Sequence, residues 1–468
     1  QEDETFTATR VRNDTHELSE VVVRLATDVV SATVAARYDL TAAKTLLASG
    51  NIYLFTTDED EEETIARRLA ADPDILWAEL NFTGGIPERY GYKTWRWGGE
   101  DPEGYVNQNA FHQVNLEPAL AVIQGNDVVI AILDTGVALT HPALVDRLLP
   151  GYDMVDDDTV PNDDGDGLGW GHGTHIAGIV AQMSPQSKLL PLRVLDTNGR
   201  GNTFTLAYAI EWAVAHGADV INLSLGAETN SQVLRNAIDR ATAAGVIVVA
   251  AAGNLHTDVP QFPASYPGVL SVTAVDGKNM KADFAAFGRD WVDLAAPGVG
   301  ITSTIVGPHG IGYASWSGTS MATGFVSGAA ALLRQQRPTA SIALIERQFI
   351  QTARNVDAQN PDYAGKLGGL LNVAAALELD PTEAQLTPTP TATPTPTPIP
   401  TLTELPAVTP SQTPAPTQTP LTQPTATATV SQTTPTPVVT PTPTVPITTS
   451  LPDSPELQHK LFLPLLQR

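Results

Sequence analysis

The largest part of this chain, residues 119–380, predicts an α/β fold in which a mostly parallel sheet lies between helices. Apolar runs at 128–133, 189–195, 220–225, 246–252 and 269–275 are near-continuous rather than alternating, which marks strands buried on both faces. Helical patterns fill the intervals between them, the alternation expected when crossover helices cover a parallel sheet. The composition also changes sharply on either side of this region, setting it off as a domain.

Before it, residues 1–83 read as a small independent α+β unit. Glu20-Val21-Val22-Val23-Arg24-Leu25 is a strand, as is Ile52-Tyr53-Leu54-Phe55 after the turn Gly50-Asn51. Ala-rich helical stretches lie between these strands and again over 61–71, and a last strand over 75–82 follows the breaker Asp72-Pro73. The expected order is β-α-β-α-β. Residues 84–118 form a connection rich in Gly, Tyr and Trp. Residues 381–454 hold Thr-Pro repeats such as Thr395-Pro396-Thr397-Pro398. Such a tract cannot build a core and is expected to be an extended, disordered stalk. Residues 455–468 include the apolar Leu461-Phe462-Leu463-Pro464-Leu465-Leu466, much shorter than the ~20 residues that cross a bilayer.

The net charge of −25 argues against nucleic acid, where Lys and Arg must displace counterions, and against anionic membrane surfaces. The 468 residues contain no cysteine, which removes disulfides, thiolate zinc sites and a cysteine nucleophile. The chain opens Gln1-Glu2-Asp3-Glu4 without Met or an apolar leader, so an export signal is expected to have been removed, and the location is read as extracellular or cell-surface. A monomer without a transmembrane segment is expected.

Functional groups in open parallel sheets gather past the carboxyl ends of the strands, and three sequence features fall there. Asp134 ends the run Ile132-Leu133-Asp134-Thr135-Gly136. His172 sits in Gly171-His172-Gly173-Thr174-His175. Ser320 opens an Ala/Gly-rich helix within Gly318-Thr319-Ser320-Met321-Ala322. Taken singly, each has a plain structural reading as turn residue, packed histidine or helix cap. Together they supply a nucleophile, a base for its proton, and an acid to fix the base's tautomer. Amide hydrolysis also needs a donor for a developing oxyanion, and Asn254, in Ala251-Ala252-Gly253-Asn254 after a buried strand, is placed to give one beside the Ser320 backbone N–H.

These segments, with Ser224-Leu225-Gly226, resemble the signatures of the subtilisin-like serine proteases over about 115–380. The resemblance implies a seven-stranded, mostly parallel sheet, with Asp134, His172 and Ser320 as the catalytic triad and Asn254 in the oxyanion hole. It implies that an extended peptide substrate pairs with Gly199-Arg200-Gly201 and Ser224-Leu225-Gly226. The main specificity pocket would involve Gly253, Leu255 and Gln261, whose uncharged character suggests large uncharged residues before the cut. Residues 18–83 are similar to the family's ferredoxin-like propeptides, which implies a zymogen inhibited by its own N-terminal domain, with maturation somewhere in 83–110.

Two features depart from the family pattern. Gly324 stands where Pro is usual, and Ala143 replaces an Asp of the family's tight calcium site. No cofactor is required for the chemistry. An acidic loop before His172 leaves two readings open: a solvated loop, or a structural calcium site. Relatives that hold calcium there use ligands resembling Asp153, Asp158 and Asn162, and Asp156 lies beside them. Like charges packed so closely repel without a cation.

Two alternatives to a serine endopeptidase stand. One is a non-catalytic surface or adhesion protein on a protease scaffold. The other is a homodimeric aspartic protease built on Asp134-Thr135-Gly136, which leaves the His and Ser motifs unexplained. His172-x-x-His175 has neither the spacing nor the Glu of a zinc peptidase helix.

Overall fold

The structure is a computed structural model that describes residues 15–46, 50–58, 61–90 and 96–378. The Thr/Pro-rich tract and the apolar segment 455–468 lie outside the described residues.

The N-terminal unit runs β1 (His16–Leu25), α1 (Ser31–Tyr38), β2 (Thr41–Thr45), β3 (Ile52–Thr56), α2 (Glu62–Ala70) and β4 (Ile75–Gly85). Its sheet order is β2-β3-β1-β4, with β1 antiparallel to both neighbours. One strand was not foreseen. Thr41-Ala42-Ala43-Lys44-Thr45 lies in the Ala-rich stretch read as helical, but pairs with β3 instead, since tertiary pairing overrides a weak local preference. Alternation along β1 sends Val21, Val23 and Leu25 into the unit's own core with Phe55, Ile65 and Leu69. Val22 points the other way and joins the core of the larger domain, so the two faces of this sheet serve two partners.

Residues 96–120 are ordered connections rather than a featureless linker: β5 (Arg96–Gly99), α3 (Glu103–Val106), α4 (Asn109–Gln113) and α5 (Leu116–Leu120). The larger domain continues with β6 (Val129–Asp134), β7 (Tyr152–Asp153), α6 (His172–Met183), β8 (Lys188–Arg193), β9 (Arg200–Asn202) and α7 (Thr203–Ala215). Then follow β10 (Val220–Leu223), α8 (Gln232–Ala243), β11 (Ile247–Ala251), β12 (Val269–Val275), β13 (Leu294–Pro297), β14 (Ile301–Gly307) and β15 (Gly310–Trp316). The chain closes on α9 (Thr319–Gln336), α10 (Ile342–Thr352), β16 (Gly369–Leu370) and α11 (Val373–Glu378).

The central sheet is β16-β13-β12-β11-β10-β6-β8-β7, and every pairing in it is parallel. It has eight strands rather than the expected seven: six longer ones and a two-residue strand at each edge. The interior strands are buried along nearly their whole length, as their continuous apolar runs require. α9 is buried on almost all sides, which explains its lack of a polar face.

α9 packs on α6 through small residues. A Cβ at Gly328 would lie 2.3 Å from Met183 Cβ, and one at Gly324 would lie 3.1 Å from Ile179 Cγ2. Gly324, the departure from the family pattern, therefore sits against α6 in this close helix contact.

Candidate active site

Asp134 ends β6, and His172 begins α6. Close approach between these two elements depends on Gly173, where a Cβ would stand 2.1 Å from Gly136 O and 2.9 Å from Asp134 Cβ. With that gap open, His172 Nδ1 lies 2.7 Å from Asp134 Oδ1, and both side chains are fully buried. The imidazole also stands edge-on to Trp316, with ring centroids 5.4 Å apart.

Ser320 lies in the first turn of α9, fully buried. Ser224 Oγ donates to Ser320 O at 3.1 Å and accepts from Asn222 Nδ2 at 3.0 Å. Asn222 Oδ1 in turn accepts from Ser327 Oγ, about two turns further along the same face of α9. This buried polar chain ties the serine helix to the end of β10. Asn254 is held through its own oxygen, which accepts from Thr319 N at 3.0 Å and Thr319 Oγ1 at 2.9 Å. Its Nδ2 is thereby turned into the site. The structure thus brings Asp134, His172, Ser320 and Asn254 together.

A residue that sequence reasoning passed over, Glu88, sits among them with no exposed surface. Ser320 Oγ donates to Glu88 Oε2 at 2.9 Å, and Asn254 Nδ2 donates to Glu88 Oε1 at 3.2 Å. Glu88 Oε2 also lies 3.2 Å from His172 Nε2 as an ion pair, without the alignment of a hydrogen bond. Burial alone would lower the His172 pKa. The charge and hydrogen bond of Asp134, with the nearby Glu88, outweigh it and raise the value to about 10. His172 thus has an acidic side chain on each ring nitrogen, Asp134 at Nδ1 and Glu88 at Nε2, and both favour its protonated form.

Glu88 arrives there because β4 does not stop at Phe82. It continues to Gly85, pairing Thr83 with Asn202, Gly84 with Gly201 and Gly85 with Arg200. Ile86 N extends that edge by donating to Gly199 O at 2.9 Å, and on the other edge Gly85 and Gly226 exchange both backbone hydrogen bonds at 3.0 Å. Residues 83–86 thus form a strand between the two segments expected to hold substrate. The signal in the sequence was the unbroken strand leading to Gly84-Gly85, whose missing side chains suit close passage between neighbours.

Two pockets flank this strand. One is lined by Pro87, Gly226, Ala251, Gly253, Leu255 and Gln261 among others, with no charged side chain. The other lies beside Gly84 and is walled by Leu195, Leu206, Leu225, Leu234 and Phe262.

Asp163 is a second residue whose place was not foreseen. Fully buried, it accepts from Gly171 N at 3.0 Å, Thr174 N at 3.0 Å, Thr174 Oγ1 at 2.6 Å and Thr135 Oγ1 at 3.2 Å. It binds the start of α6 to the residue after Asp134, and burial raises its pKa to about 7. The sequence showed it only as one member of an acidic loop. His175 is held apart, with Nε2 3.0 Å from Ala314 O and its pKa lowered by burial to about 3, so it forms no metal-binding pair with His172.

In the acidic loop the four calcium candidates have partners within the protein. Arg193 Nη1 lies 2.7 Å from Asp153 Oδ2 and 2.5 Å from Asp156 Oδ2, so a guanidinium already balances both. Asp158 Oδ1 accepts from Val160 N, and Asn162 Oδ1 from Leu139 N. Among the described residues no group of three or more His or acidic side chains is gathered as a metal site.

The sequence profile of the Subtilase family matches residues 125–368, and the chain belongs to that family of serine peptidases. It is 38% identical to subtilisin NAT of Bacillus subtilis subsp. natto over 267 residues, covering 54% of this chain and 66% of that one, slightly under two thirds of the relative's length. A thermophilic serine proteinase of Bacillus sp. (strain AK1) is 39% identical over 288 residues, covering 58% and 67%. Among solved structures, fervidolysin from Fervidobacterium pennivorans, described as a keratinolytic enzyme related to subtilisin, is similar with a TM-score of 0.65 at 25% identity. That match covers 79% of this chain and 62% of fervidolysin.

Proposed function

We propose that the chain is a serine endopeptidase that cleaves peptide bonds through an acyl-enzyme and is kept latent by its own N-terminal domain. The observation that carries this reading is the meeting of Asp134, His172, Ser320 and Asn254 at the ends of β6, β10 and β11, in a cleft that already holds an extended peptide segment. Asp134 accepts a hydrogen bond from His172 Nδ1–H, leaving Nε2 to take the proton of Ser320 once the site is open. Ser320 Oγ then attacks the substrate carbonyl carbon. The C–N bond breaks as His172 returns the proton to the leaving nitrogen, and water releases the acid product by the reverse roles. Asn254 Nδ2 serves the oxyanion.

Substrate binds by adding a strand between Arg200–Asn202 and Gly226, which gives affinity with little sequence demand. In that register the residue before the cut faces an uncharged pocket. The residue three before it faces the apolar pocket beside Gly84, so substrates with a large apolar side chain there are favoured.

Latency is supported by how the N-terminal domain docks. Glu79 accepts from Gln232 N and Val233 N, and Asn81 accepts from Phe204 N. Two adjacent residue positions on one face of β4 thus satisfy the free N–H groups at the starts of α8 and α7. Export is part of this reading and is checked by finding the chain in the medium or surface fraction rather than in the cell interior.

The test is fluorophosphonate labelling and casein hydrolysis by the chain after brief digestion has removed the N-terminal domain, beside Ser320→Ala. Labelling that requires Ser320, with a loss of turnover on the order of 10⁶ in the variant, supports the reading. Equal absence of labelling in both would place the scaffold alternative first.

A further inference from the structure

We propose that Glu88 decides how this active site treats its own N-terminal segment: its side-chain carboxylate takes the place of the scissile carbonyl, and the Pro87–Glu88 bond that the register presents for cutting stays uncut. The inference rests on the serine-protease reading above and deepens it, by separating the residue that inhibits from the strand that merely docks.

The register fixes which bond is presented. Gly85 and Gly226 form a hydrogen-bonded pair that exchanges both backbone bonds. In an antiparallel ladder such pairs recur every second residue, so the next falls between position 87 and Ser224. A peptide bound for cleavage donates its N–H there, to the Ser224 carbonyl. Position 87 is Pro and has no N–H to give. That carbonyl instead lies 3.3 Å from Ser320 Oγ. The chain then leaves the strand conformation and turns through a 3-10 helix, Pro87–Tyr90, which returns the next side chain into the site.

What returns is a carboxylate, and the site receives it as it would a developing oxyanion. Oε1 takes the Asn254 amide, and Oε2 takes the Ser320 hydroxyl and faces His172 Nε2. A Cβ at Gly318 would stand 1.7 Å from Glu88 Oε1, so the absence of a side chain at 318 is what lets the carboxylate in. Each group needed for cutting is thereby diverted. The nucleophile's proton points at Glu88, the oxyanion donor is occupied, and the base already carries a proton and cannot accept another. Cleavage after Pro87 needs Ser320 Oγ to bond to the Pro87 carbonyl carbon and His172 to protonate the Glu88 nitrogen. Neither partner is free while the carboxylate is seated.

The experiment uses the intact chain as wild type, Glu88→Gln, Glu88→Ala and the double variant Pro87→Leu/Glu88→Ala. Each is incubated and followed by intact-mass spectrometry and fluorophosphonate labelling, with thermal unfolding as the control for folding. The wild type is expected to label slowly and to yield no fragment ending at position 87. Glu88→Ala is expected to label at least tenfold faster, and Glu88→Gln, which keeps the shape but not the charge, to fall between. The double variant is expected to yield the fragment ending at position 87.

A wild-type fragment ending at position 87 overturns the proposal while leaving latency intact. So does labelling of Glu88→Ala at the wild-type rate. If Glu88→Ala does not fold, the isosteric Glu88→Gln decides by the same comparison. Failure of every form to label, even after added protease has stripped the N-terminal domain, overturns the protease reading itself.

Discussion

The pH at which the intact chain becomes reactive should lie well above that of the form freed from its N-terminal domain. In the docked arrangement His172 faces Asp134 on Nδ1 and Glu88 on Nε2, with Trp316 edge-on, neutral His175 nearby on α6, and Asp163 behind Thr135. Burial pulls the His172 pKa down, but Asp134 and then Glu88 outweigh it and raise it from 6.5 to about 10. That gap corresponds to roughly 5 kcal/mol in favour of the imidazolium. A raised value means the stabilisation is present in full below about pH 6.5 and is lost as pH rises through about 10. Fluorophosphonate reaction needs neutral His172. Labelling of the intact chain should therefore climb about tenfold per pH unit up to about pH 10. The freed form keeps Asp134 but loses Glu88, so its profile should level off at least about one unit lower, and Glu88→Gln should bring the intact chain towards it. The assay is the initial labelling rate between pH 6 and 10.5 for all three forms. Coincident inflections would refute the view that Glu88 holds His172 in its protonated state.

Other changes test other parts of the site. In the freed form, Asn254→Ala should lower kcat by about 10²–10³ with little change in KM, read from peptide hydrolysis, because its amide serves the oxyanion more than the ground state. Gly328→Ala forces a methyl towards Met183 Cβ at 2.3 Å. It should cost about 1–3 kcal/mol by overpacking, seen as a lower Tm together with reduced kcat, since α6 and α9 carry His172 and Ser320. Asp163 has its pKa raised by burial to about 7, so its contribution to stability falls as pH rises from about 4 through about 7. Asp163→Asn should flatten that part of the Tm–pH profile relative to wild type, and the loss of one ionisable anchor between α6 and Thr135 should lower kcat more than it changes KM.

Much of the fold was legible because its signals are local. Continuous apolar runs gave the interior strands of the central sheet, and β1, β3 and β4 followed from alternation and turn residues. What escaped depended on partners distant in sequence. Thr41–Thr45 has no strong strand preference of its own and becomes β2 through pairing with β3. The two-residue edge strands of the sheet are too short to leave a pattern. At the site, Asp134, His172, Ser320 and Asn254 sat in distinctive small-residue segments, whereas Arg193 lies at the end of an otherwise apolar strand and gave no sign of its acidic partners. Asp163 was hidden among neighbouring carboxylates that resembled a cation loop. Only the fold assigns it to helix α6, Asp153 and Asp156 to Arg193, and Asp158 to the loop backbone.

Glu88 was illegible for a different reason, and that reason bears on how latency is set. Its role depends on register, on two antiparallel pairings that carry residues 83–86 through the cleft and on a turn at Pro87 that swings one side chain back. Every group it touches is required for the proposed chemistry: the Ser320 hydroxyl, the Asn254 amide and the His172 imidazole. Weakening the restraint at any of these would weaken catalysis with it. The docking contacts at Glu79 and Asn81 hold the whole domain, so altering them would release strand and carboxylate together. Glu88 is the one member of the contact set that the chemistry does not use. It is therefore the position at which the strength of inhibition can change without cost to the opened enzyme.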